Sequence, residues 1–107
     1  MERQIIPLLQ TAVAQKASDL HFSAGLPPVL RLNGELIPMD GPPMDPKDTE
    51  AMAGLLMDEQ QRKTFEEQGE IDLAYSRPGL ARFRVNIYRQ RGSISIAMRL
   101  INTAIPT

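Results

Sequence analysis

Arginine grips phosphate well, because its planar fork offers five N–H donors and keeps its charge at any ordinary pH. Arg84 and Arg99 fall on the last two predicted strands of the chain. The simplest pairing of those strands sets the two side by side on a solvent-facing surface. Like charges directly opposite on a sheet repel. An anion held between them relieves the repulsion, and phosphate is the obvious candidate. Arg82 lies two residues along the same face. On pattern alone, three solvated arginines on an outer face are the commoner outcome.

The pairing rests on a closing hairpin. Ala81, Phe83, Val85 and Ile87 form one face of a strand, and Arg82, Arg84, Asn86 and Tyr88 form the other. The next strand alternates Ile94, Ile96, Met98 and Leu100 against Ser95, Ala97, Arg99 and Ile101. A four-residue loop, Gln90-Arg91-Gly92-Ser93, pairs Arg89 with Ile94, Ile87 with Ile96, Val85 with Met98 and Phe83 with Leu100. The last three of these pairs are wholly apolar, which favours this register.

The rest of the chain must supply elements that hold this hairpin. Ile5, Leu8 or Leu9, Ala12, Val13 and Lys16 follow amphipathic spacing and predict a helix over residues 3–16. Residues 18–22 alternate as a half-buried strand that closes at Gly25, and Val29-Leu30-Arg31-Leu32 turns at Asn33-Gly34 into Leu36-Ile37 as a hairpin. The proline-rich residues 38–46 form a loop. Asp45 caps a helix that begins at Pro46, runs to about Met57 and buries Met52, Leu55 and Leu56. Asp58, with Gln61 three residues on, caps a short helix that stops at Gly69. Ile71, Leu73 and Tyr75 alternate as a strand, and Arg77-Pro78-Gly79 makes a type II turn.

Other candidates carry less chemistry. Asp19 and His21 share one strand face, yet no serine, cysteine or metal set completes a catalytic site, and a structural pair or interface contact is the commoner role. Glu66, Glu67, Glu70 and Asp72 make an acidic patch of the kind that is usually solvated, and the methionines sit mostly at core-like positions. No GxxxxGK[ST] phosphate loop and no GxGxxG occurs, so the chain alone is no nucleotide hydrolase of the common kind.

Composition bounds what remains. The chain has 107 residues, 42% of them hydrophobic and 23% charged, which suits one domain with a modest core. A net charge of -1 argues against a general nucleic-acid partner, so any basic site is local. The lack of cysteine excludes disulfides and thiolate metal sites, and a single histidine argues against a histidine-built metal site. The first residues contain no apolar run long enough for a signal or a membrane span, and a cytoplasmic location is expected.

The order Ala17-Ser18-Asp19-Leu20-His21, Gly25-Leu26-Pro27-Pro28, Arg31, Asn33-Gly34, then Ala81-Arg82-Phe83-Arg84-Val85-Asn86 and Met98-Arg99 resembles the N-terminal domain of the type IV pilus retraction ATPases. The resemblance covers nearly the whole chain. It implies an α+β, PAS-like single domain over residues 1–104, mainly antiparallel sheet with an N-terminal helix and a helical pair packed on it. Ile105-Pro106-Thr107 would open a linker to a RecA-like ATPase domain that the chain does not contain. It further implies a homohexamer in which this domain packs on the neighbouring subunit's ATPase domain. Arg84, Arg99 and, with less support, Arg82 would reach the phosphates of ATP held by the ATPase domain of the same subunit. Binding of ATP by the chain alone would be weak or absent, and no metal would come from this domain. The pilus machinery would bring the protein to the inner membrane. A stand-alone PAS-like adaptor or ligand sensor, and the corresponding domain of a pilus assembly or type II secretion ATPase, are the alternatives.

Overall fold

The computed structural model describes residues 2–103, with side chains described over residues 5–102. Ile105, Pro106 and Thr107, expected to open a linker, lie outside the described residues. Helix α1 (Glu2–Ala14) leads into strand β1 (Asp19–Phe22) and the hairpin β2 (Val29–Leu32) and β3 (Glu35–Pro38). Helices α2 (Pro46–Leu56) and α3 (Glu59–Gln68) follow, and strands β4 (Glu70–Arg77), β5 (Ala81–Gln90) and β6 (Ser93–Thr103) complete an α+β fold. The six strands make one antiparallel sheet in the order β3-β2-β1-β6-β5-β4.

Local chemistry sets the helix ends. Asp45 and Asp58 each accept a bond from the backbone N–H three residues on, and Asp48 and Gln61 return the bond to the cap. Gly69 ends α3 in the left-handed region at φ 80. Thr49, Met52, Ala53 and Leu56 form the buried stripe of α2. Leu55, expected in that stripe, is 44% exposed, because Ala53 takes the place toward the sheet and turns Leu55 outward.

All three helices cover one face of the sheet. Ile5, Leu9 and Ala12 of α1, Met52 of α2 and Phe65 of α3 join Leu20, Phe22, Leu30, Phe83, Val85, Ile87, Ile96 and Met98 in one core. The intervening residues of β5 face the other way, and Arg82 and Arg84 are exposed there. Among the described residues no helix is long and apolar enough to cross a membrane, and no group of three or more His, Cys, Asp or Glu side chains could hold a metal ion.

The closing hairpin has the expected register. Phe83 pairs with Leu100, Arg84 with Arg99, Val85 with Met98, Ile87 with Ile96 and Arg89 with Ile94. The loop is tighter than expected. Gln90 pairs with Ser93, so the turn is only Arg91-Gly92, at φ 54 and 81. Two successive residues with positive φ match the right-handed twist of a two-residue hairpin. Asn33-Gly34 makes the same turn at φ 52 and 84. At the other end of the hairpin a bulge shifts the register between Arg82 and Phe83, so that Arg82 pairs with Asn102.

Candidate functional site

The open face of the sheet carries a row of charges built by four strands in succession. Arg31 on β2 is paired with Asp19 on β1, Asp19 with Arg99 on β6, and Arg99 with Arg84 on β5. Each residue has apolar chain neighbours that enter the core, such as Leu20 beside Asp19 and Phe83 and Val85 on either side of Arg84. Burial of those neighbours turns the charged side chains outward, since successive strand residues face opposite ways.

Asp19 lies between two arginines. Its Oδ2 is 3.5 Å from Nε of Arg99, and its Oδ1 is 4.0 Å from Nε of Arg31. The repulsion expected between Arg84 and Arg99 is therefore offset in part from the far side of Arg99. Arg84 itself has no carboxylate within 4.0 Å among the described residues. Arg82 stands apart from the row, with its Nε donating to Ser76 Oγ on β4 at 3.2 Å.

The row borders an open depression of about 680 Å³. Arg31, Arg84 and Arg99 line it together with Asp19, Asp72 and His21. Three arginines against two aspartates leave one surplus positive charge. Asn86, on the same surface, donates through Nδ2 to Asp72 Oδ1 and to the Ile71 carbonyl, both at 3.4 Å. The surface suits an anion that can use guanidinium donors.

Comparison with known proteins follows the same lines. The chain is 41% identical over 103 residues to the type IV pilus retraction ATPase PilT of Pseudomonas aeruginosa, an alignment that covers 96% of this chain and 30% of PilT. It is 39% identical over 100 residues to the type IV pilus ATPase PilU of the same bacterium, covering 94% of this chain and 26% of PilU. A crystal structure of the pilus retraction motor PilT with bound ADP superposes with a TM-score of 0.83 at 38% identity, covering 89% of this chain and 28% of that one. The chain fits an N-terminal domain of a type IV pilus ATPase. It spans less than a third of the length of the relatives it matches. No family model matches it.

For a domain of this kind, sequence reasoning found the arginine pair and missed its setting. Arg84 and Arg99 are brought together as expected. Asp19 was read with His21, but its partners are arginines on the two flanking strands. The residue pattern places Arg31 on a strand and gives it no partner across the sheet. The pairing of β1 with β6 joins residues about eighty positions apart, and no local signal announces it. The Asn33-Gly34 hairpin fixes Arg31 against Leu36 on β3, which lies outside the row.

Proposed function

We propose that the chain is the N-terminal domain of a hexameric pilus retraction ATPase, in which Arg84 and Arg99 contact the phosphates of ATP. The ATP would be held by a RecA-like ATPase domain of the same subunit, and this domain would pack on the ATPase domain of the next. The observation that carries the reading is Arg84, an exposed arginine beside a second arginine and with no carboxylate within 4.0 Å among the described residues. The structure of PilT with bound ADP supports a nucleotide as the anion.

ATP brings the phosphate oxygens and the reactive bond. Arg84 and Arg99 bind and orient those oxygens through charge-assisted hydrogen bonds, each worth about 1.5–3 kcal/mol. Neither arginine abstracts or donates a proton, and the chain supplies no glycine-rich loop to cradle phosphate. Weak binding of ATP by the chain alone follows. Arg82, bonded to Ser76 and outside the depression, would be the outermost and weakest contact. Attraction of the arginine pair to a triphosphate, and its loss after hydrolysis, would let this domain move as a rigid body against the ATPase core.

The test uses the full-length protein in its cell. Arg84→Ala and Arg99→Ala are each expected to lower ATP hydrolysis at least about tenfold, as loss of one such bond requires. Twitching motility should be lost as well. Unchanged hydrolysis and motility for both variants would sink the assignment. Cells of either variant that keep surface pili but cannot retract them support retraction, whereas cells without pili support assembly.

A further inference from the structure

Asp19 is the one member of the row with the opposite charge, and it is the most enclosed. Its side chain is 13% exposed, against 42% for Arg31 and 74% for Arg99. Because β1 lies between β2 and β6, the sheet sets one arginine on each side of it.

Both arginines approach through the same atom. Nε of Arg99 faces one carboxylate oxygen and Nε of Arg31 faces the other. A guanidinium has five N–H donors, and only one of them is on Nε. Contact at that atom leaves four donors unspent on each arginine. Among the described residues, the terminal nitrogens of Arg31 and Arg99 donate to no protein oxygen. A two-pronged contact would spend two donors of one guanidinium on the same carboxylate. Asp19 instead meets each fork at its base, with a hydrogen bond to Nε of Arg99 and a distance of 4.0 Å to Nε of Arg31. Ordering long side chains is part of the cost of binding, and a group that orders them beforehand reduces it.

We propose that Asp19 is a positioning residue, which fixes Arg99, and more loosely Arg31, through Nε so that their terminal nitrogens are presented to a phosphate-class anion. The proposal rests on the phosphate reading of Arg84 and Arg99. The opposing possibility is that Asp19 merely competes with the anion for Arg99.

The two roles give opposite results in a double-mutant cycle. Inorganic tripolyphosphate is titrated into the 107-residue chain and followed by its arginine side-chain NMR signals. With Asp19 present, Arg99→Ala should weaken binding about five- to tenfold, and in the Asp19→Asn background less than about twofold. An equal or larger loss in the Asn background overturns positioning. Arg99→Lys keeps the charge and lacks the Nε donor. It should bind at least about threefold more weakly than wild type, and equal binding overturns the role of Nε.

A second readout involves no anion. The Arg99 Nε–Hε signal should be distinct and slow to exchange in the wild-type chain, and Asp19→Asn should remove both properties. A signal indifferent to Asp19 overturns the proposal whatever the titration shows. If tripolyphosphate leaves every arginine signal of the chain alone unmoved, the anion-free readout decides whether Asp19 fixes Arg99, and hydrolysis by the full-length Arg84→Ala and Arg99→Ala variants decides the phosphate reading.

Discussion

Phe83 and Arg84 are adjacent in the chain and meet opposite surroundings. Phe83 is fully buried among Val85, Ile87, Met98 and the helices, while Arg84 faces water beside Arg99. The same alternation runs through the sheet, with Leu20 buried beside Asp19 and Met98 beside Arg99. Burying one large apolar side chain contributes about 1.5–3 kcal/mol. Two like charges opposite each other cost only about 0.2–1 kcal/mol. The core face therefore dictates which side of each strand turns inward, and in the observed register the open face accepts the arginine pair. A slip of one residue would relieve the repulsion only by carrying the whole apolar set into water.

Three substitutions probe this division, beginning with the largest effect. Phe83→Ala should destabilise the chain by about 3–5 kcal/mol, since it removes a ring from a filled core. Equilibrium denaturation measures the loss, and a cost below about 1 kcal/mol would mean that the core face does not dictate which side turns inward. Arg84→Glu places opposite charges in the Arg84–Arg99 pair. It should stabilise the chain by about 0.2–1 kcal/mol while abolishing response to tripolyphosphate. Loss of stability there would show that the pair is not a strained contact. The smallest effect is expected in the turn. Arg91 holds φ 54, in a region that asparagine and glycine enter more readily. Arg91→Asn should raise stability by about 0.5 kcal/mol in the same denaturation experiment, with tripolyphosphate binding unchanged.

The two turns also show what a sequence can and cannot disclose. Asn33-Gly34 and Arg91-Gly92 adopt the same backbone, yet only the first carries the residues that favour it. Arg91 therefore reads as part of a longer loop, although the register beyond it is the expected one. The helix caps were legible for a similar reason, being set by residues three apart. Leu55 was not, since whether it or Ala53 meets the sheet depends on the angle at which α2 docks. The Arg84–Arg99 pair followed from local alternation. Asp19 entered the site through the distant pairing of β1 with β6, which no periodicity encodes.

The most direct test measures both faces in one variant. In full-length Arg84→Ala, kcat/KM for ATP hydrolysis should fall at least about tenfold, while the unfolding free energy stays within about 0.5 kcal/mol of wild type. Unchanged kcat/KM, or a fall matched by an equal loss of stability, would contradict the account of Arg84 as a phosphate contact on a face that the core does not need.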